Sequence, residues 1–228
     1  HSGWMGFPWG PRYRLYDAET FAPERNLMPD GNFDSTLSGW SANNVTVQVD
    51  TSAANRLDGA GTLRIGKHLN YAEDRTGAAA VGPVVKLTAG VEYTLAFAAK
   101  ASSTRMIQVA LGSQLEEFYI PDEWSRRVFT FKAPSTGNYR LRFNVGRENT
   151  NIWIDSIYLF AGNANVFRRD FDNAVVIVNA TESTRTVELD ETLQRIRGTG
   201  QDAINDGSKV TRVTIASKDS AILIRPEK

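Results

Sequence analysis

The chain contains no cysteine. That excludes disulfide staples, thiolate zinc sites and a cysteine nucleophile. Histidine is almost as scarce: of the two, His1 is terminal, so His68 is the single imidazole placed for acid–base work. A Ser-His-Asp triad would need an activated serine beside it, and no G-x-S-x-G elbow occurs. An excess of either charge is also missing, with Lys+Arg 26 against Asp+Glu 26. A balanced chain carries no global field to attract nucleic acid or an anionic membrane, so neither is an expected partner. No apolar run reaches the roughly 18 residues of a spanning helix. The phosphate-loop and dinucleotide fingerprints are absent as well. The opening "HSGWMGFPWG" has neither the basic region nor the apolar core of a signal peptide, and it reads as the interior of a longer chain.

Helical periodicity is nearly absent, and period-two alternation takes its place. In "VEYTLAFAAKA", Val91, Tyr93, Leu95, Phe97 and Ala99 share one face. Ile107, Val109 and Leu111 alternate with Met106, Gln108 and Ala110. Leu141, Phe143 and Val145 point one way, and Arg140, Arg142 and Asn144 the other. "RRVFTFKAP" and "NIWIDSIYLF" complete the set. Turn residues separate the runs at Asp58-Gly59, Ala89-Gly90, Pro134-Ser135-Thr136-Gly137 and Gly162-Asn163. Many short strands at this spacing predict an all-β fold, an antiparallel sandwich.

A second strand set follows, at 173–181, 184–190, 193–198, 209–217 and 220–226. So few residues bury a thin core and make a unit that is marginal alone. The chain is therefore divided into an extended aromatic segment at 1–25, a large sandwich at 26–161 and a small β-sandwich at 162–228. Trp4, Phe7, Trp9 and Tyr13 are expected to lay the first segment on the last domain.

Carboxylates are plentiful, but glycoside hydrolysis needs two that converge on one bond. Neighbours such as Glu116-Glu117 and Asp122-Glu123 point to opposite faces of a strand, and nothing pairs them across a cleft. The residues thus favour a non-catalytic role. Two rivals remain: a structural spacer, and a β-sandwich enzyme such as a lyase or deacetylase built around His68.

Six phrases occur in order: "NLMPDGNFD", "SGW", "DGAGTLRI", "LTAGVEYTLAFAAKA", "WSRRVFTFKAP" and "IWIDSIYLF". Together, over 26–160, they resemble the carbohydrate-binding modules of families four, nine, sixteen and twenty-two, which share a calcium-bearing jelly roll. The resemblance implies a jelly-roll β-sandwich followed by the second, smaller antiparallel β-sandwich domain. It implies a structural calcium near the meeting of first and last strands, with Asp34 and Asp155 at the matching acidic positions. Calcium takes several hard oxygen ligands, and loop carbonyls can complete its shell. It also implies a sugar groove across one sheet. A sugar needs an aromatic ring against its apolar face and planar polar groups for its hydroxyls. His68, Asn70 and Tyr71 after the "TLRIG" strand, Phe118 and Tyr119 in "QLEEFYIPDEW", and Gln108, Arg142 and Asn144 on the outward row are the candidates. Trp40 and Trp124 are expected in the core.

The final stretch, with "VFRRDFDNAVVIVNATESTRTVELD" and "INDGSKVTRVTIASKDSAILIRP", resembles the small β-domain that ends certain barrel-type glycoside hydrolases. Ala174 and Ala180 replace that pattern's glycine and proline, and "GFPWGP" is similar to a phrase that precedes the domain there. The implied protein is an ancillary, monomeric part of a bacterial glycoside hydrolase, secreted, and holding a separate catalytic domain on plant or algal polysaccharide.

Overall fold

The computed structural model describes residues 13–14, 26–198 and 204–226, with 13–14 as backbone only. The expected packing of Trp4, Phe7 and Trp9 lies outside these residues. The described residues form strands and short 3-10 turns at Ala53–Asn55 and Arg75–Gly77. The chain divides into two compact units, one of His1–Phe21 with Asn163–Lys228 and one of Ala22–Gly162.

In the first of these units the short strand β1 (Tyr13–Arg14) pairs antiparallel with a later strand, so we number from it. The larger unit then holds β2 (Ser41–Asn43), β3 (Val45–Asp50), β4 (Thr62–His68), β5 (Ala79–Leu87) and β6 (Glu92–Ala101). It continues with β7 (Arg105–Leu111), β8 (Gln114–Ile120), β9 (Ser125–Lys132), β10 (Gly137–Asn144) and β11 (Ile152–Ala161). These make two five-stranded antiparallel sheets, ordered β2-β5-β10-β7-β8 and β3-β4-β11-β6-β9. Most neighbours are distant in sequence, the jelly-roll pattern.

The alternation explains the layers. Tyr93, Leu95, Phe97 and Ala99 of β6 face Ile107, Val109 and Leu111 of β7 and Leu141 and Phe143 of β10 in one buried core. Aromatic rings run through it as a chain. Phe33 meets Trp40 edge-on at 5.5 Å, Trp40 stacks on Phe143 at 6.0 Å, and Phe97 meets Phe143 at 5.2 Å and Phe118 at 5.4 Å. Trp40 is a core residue, as its place after Gly39 suggests. On β11, Ile152 and Ile154 enter the core, and then Ile157 and Leu159 do. That change of parity is a bulge against β6 between Asp155 and Tyr158, with Ser156 at φ 51.

The opening phrase docks on the strand beyond this bulge. The Leu27 amide donates to the Leu159 carbonyl at 2.7 Å, the Asn26 amide nitrogen to the Ile157 carbonyl at 3.1 Å, and the Ile157 amide to the Gly31 carbonyl at 3.0 Å. Gly31 is required there, because a Cβ would stand 2.2 Å from the Ile157 oxygen.

The smaller unit adds β12 (Val166–Asp170), β13 (Ala174–Asn179), β14 (Arg185–Arg195), β15 (Lys209–Ile215) and β16 (Asp219–Ile224). They form one six-stranded antiparallel sheet, ordered β1-β12-β13-β16-β14-β15. The separate strands expected at 184–190 and 193–198 are one strand, β14, whose pairing with β15 slips between Glu188 and Leu193. Its core is small: Val166, Val175, Ile177, Val187, Leu193, Val213, Ile215 and Leu223. Ion pairs supplement it. Arg168 forks onto Asp170 at 3.0 and 3.1 Å, and Arg225 reaches Asp170 at 2.6 Å and Glu191 at 3.0 Å.

Candidate functional site

The outer side of the β2-β5-β10-β7-β8 sheet is built by register. Arg142 stands between Val81 of β5 and Ala110 of β7, and Ala110 pairs with Leu115 of β8. In the next row on that side, Asn144 stands between Ala79 and Gln108, and Gln108 pairs with Glu117. One row further, Met106 pairs with Tyr119. Arg142, Asn144, Gln108 and Glu117 thus stand beside the apolar Val81, Ala110 and Leu115.

The polar groups are linked. Asn144 donates from Nδ2 to Gln108 Oε1 at 3.0 Å, and Arg142 Nε donates to Asn144 Oδ1 at 3.4 Å. Asn144 is only 2% exposed, so it orients its neighbours and does not itself present a free amide. Gln108 and Arg142 are half-buried. Beyond Gln108 lies a polar cavity of about 210 Å³, lined by Asp74, Arg75, Thr76, Gln108, Glu117 and Arg147. Arg75 spans it, donating to Glu117 at 3.1 Å and to the Met106 carbonyl at 3.0 Å. Arg75 and Glu117 are additions to the expected set. Arg75 sits in the patternless loop "YAEDRTG", and no sequence signal marks it.

The aromatic candidates separate. Tyr119 is on the outer face and 58% exposed. Phe118 is a correction: it pairs with Ile107 and meets Phe97 edge-on, so it belongs to the core side and cannot stack on a ligand from the outer face. The physical reason is the strand's period of two, which sends adjacent residues to opposite faces. Trp124 is half-buried, 5.5 Å from the Lys100 ammonium, which also sits 5.2 Å from the Trp153 ring.

The loop candidates divide likewise. His68 ends β4, and its Nε2 lies 2.8 Å from the Val145 carbonyl, which requires a protonated Nε2. The ring therefore ties down the chain after β10. Arg105 donates to the same carbonyl, and burial holds its guanidinium down at about 10. The Asn70 amide donates to Asn44 Oδ1 at 2.7 Å, and Asn44 Nδ2 returns to the carbonyls of Asn70 and Gly77. That clamp holds the loop from which Tyr71 projects, 86% exposed.

The two acidic candidates meet at one turn. The Ala60 amide donates to Asp34 Oδ1 at 2.6 Å, and the Asp58 amide to Asp155 Oδ2 at 3.4 Å. Between them Gly59 has φ +60, and a Cβ there would lie 2.1 Å from Asp34 Oδ1. Asp155 is fully buried. Burial pushes its carboxyl up to about 6, the nearby Asp58 charge adds to this, and backbone N–H groups of Ser156, Asp58 and Leu57 only partly offset it. No basic side chain among the described residues pairs with it. The described residues hold no group of three or more His, Asp or Glu side chains arranged for a metal.

Residues 25–151 match the family described as a carbohydrate binding domain, which covers more than half of the chain. No curated protein matches the sequence. Among solved structures, a carbohydrate-binding module of family 4 superposes with a TM-score of 0.50 at 17% identity, covering 59% of this chain and 99% of that one. An arabinose-bound α-L-arabinofuranosidase superposes with a TM-score of 0.51 at 9% identity, covering 65% of this chain and 28% of that one. The N-terminal cellulose-binding domain of Cellulomonas fimi β-1,4-glucanase C gives 0.47 at 20% identity, covering 60% and 97%. At these identities the likeness concerns the fold alone. The sandwich of two five-stranded sheets and the family match lead to one statement: the chain belongs to the carbohydrate binding domain family.

Proposed function

We propose that the protein binds a polysaccharide across the outer side of the β2-β5-β10-β7-β8 sheet, without altering it chemically. The observation that carries this is the hydrogen-bonded trio Arg142–Asn144–Gln108 on the outer side, beside the apolar Val81, Ala110 and Leu115, with Tyr119 exposed on the same face. Gln108 would meet sugar hydroxyls and Arg142 other ligand oxygens, Asn144 would hold both in place, and Tyr119, with Tyr71 from its loop, would cover the apolar face of a pyranose. Phe118 has no part in this.

The role that follows is delivery. Joined to a catalytic domain of a secreted bacterial glycoside hydrolase, the module would keep the enzyme on its polymer and raise the local substrate concentration. The small six-stranded unit would belong to that parent enzyme.

A structural calcium ion at Asp34 and Asp155 is part of the same reading. Its support is a fully buried carboxylate paired with no basic side chain of the described residues, and a second carboxylate on the same turn. Two carboxylates leave most of a calcium shell to backbone carbonyls of the turn, which suits a hard cation.

The test is a screen by affinity electrophoresis and pull-down against xylan, mixed-linkage glucan, mannan, cellulose, pectin and agarose. Retardation by one polymer class is expected. Folded, calcium-loaded protein that ignores every polymer would reverse the reading in favour of a spacer.

A further inference from the structure

Arg140 and Arg142 stand two residues apart on β10, so both guanidinium groups rise on the outer side of the sheet. The bulge in the β5–β10 pairing lies on β5, between Val84 opposite Arg140 and Val81 opposite Arg142, so β10 keeps its alternation. Arg140 Nη1 donates to the Gly82 carbonyl at 2.9 Å. Among the described residues, Arg142 donates to Asn144 Oδ1 alone.

Neither arginine has a carboxylate within ion-pair distance among the described residues. Arg75, further along the same face, is matched by Glu117 at 3.1 Å and Glu148 at 3.7 Å. Glu117 and Glu148 are thus engaged, while the β10 end of the face carries Arg140 and Arg142, with Lys86 of β5 beyond them opposite Asn138. Arg142 is half-buried between Val81 and Ala110. A guanidinium so placed is partly withdrawn from water with no opposite charge beside it. A ligand can supply that anion, and the planar guanidinium matches a carboxylate or sulfate oxygen pair with two parallel hydrogen bonds.

We infer that the polysaccharide recognised here is acidic, with a carboxylate or sulfate ester of its repeat engaged by Arg142 and Arg140. This rests on the reading of this face as the sugar site. The Arg140–Arg142 end fixes the charged residue of the repeat, and the Gln108 end meets neutral hydroxyls.

The experiment is affinity electrophoresis through polygalacturonate, through its carboxyl-reduced form, through a sulfated galactan and through its desulfated form, each at low salt and at about 0.5 M salt. Polygalacturonate or the sulfated galactan should retard the protein, its neutral counterpart should not, and salt should weaken the retention. Whichever anionic polymer works identifies the anionic group. Arg142→Gln should weaken retention about tenfold or more with an unchanged melting temperature. If that variant melts early, Arg140→Gln, on an exposed side chain, takes its place. Equal retention by a neutral counterpart, or full retention by the folded variants, overturns the acidic ligand but leaves sugar binding standing. Silence in all four gels, with retention by a neutral plant polymer, does the same. Silence in every gel overturns both.

Discussion

At Asp155 one side chain couples proton and fold, and on the proposed reading an ion as well. Its carboxyl is raised to about 6 by burial, above the ordinary 3.8. The native state therefore holds the proton more tightly than the unfolded chain does. In the ion-free protein this stabilisation is complete below about pH 4 and is lost as pH rises from about 4 to about 6. The loss is on the order of 3 kcal/mol. The proposed calcium ion would reverse the slope, since it would bind the deprotonated carboxylate of the native state and its benefit would grow as pH rises through 6. Melting curves from pH 4 to pH 7, in chelator and in calcium, check both slopes. Asp155→Asn should flatten them, and a calcium-independent melt at pH 7 would remove the ion. At this scale legibility was uneven. The outward row of β10 and Gln108 follow directly from alternation. Phe118 and Tyr119 are adjacent aromatics on an edge strand, and only the β7–β8 register tells which of them faces out. Arg75 reaches the face through space from a loop.

Among the elements, the aromatic chain from Phe33 to Phe118 joins the two sheets. Phe97 touches two of its members and is almost fully buried. Phe97→Ala should cost about 3–5 kcal/mol, from lost burial and the cavity left behind, read from the urea midpoint. The contact of the opening phrase with β11 makes a separate prediction. Gly31→Ala would drive a Cβ into the Ile157 carbonyl and break the Ile157–Gly31 hydrogen bond. It should destabilise by more than about 1 kcal/mol, whereas Ala at Gly90, whose Cβ would meet no atom nearer than 4.0 Å, should cost only its φ of +75. Equal costs would mean that the docking of the phrase contributes little. The strands of the sandwich were legible because one face of each is buried. The bulge of β11 was not read from the sequence, where "NIWIDSIYLF" stands only as one strand; the pairing with β6 shows it. The single long β14 was not, because turn-forming residues inside it suggested an interruption that the slipped register with β15 absorbs.

At the scale of the whole molecule, two sheets with mostly non-consecutive neighbours leave one outer face with a linked polar row and an exposed tyrosine. Membership of the carbohydrate binding domain family gives that face its meaning. The order of six phrases along the chain made the fold legible, but phrases that build the core say little about the ligand. On the proposed reading specificity lies on the outer face, whose residues are set by register. Tyr119→Ala and Gln108→Ala should therefore weaken sugar binding, each by about tenfold, and leave the melting temperature within about a degree, because neither side chain belongs to the core. The most direct measurement is an isothermal titration, at pH 7 with calcium, of the oligosaccharide of whichever polymer retards the protein. Wild type, Gln108→Ala and Tyr119→Ala would be titrated side by side. The account predicts a saturable isotherm for wild type and weaker ones for both folded variants. Identical isotherms for all three would place the sugar elsewhere on the molecule and contradict it.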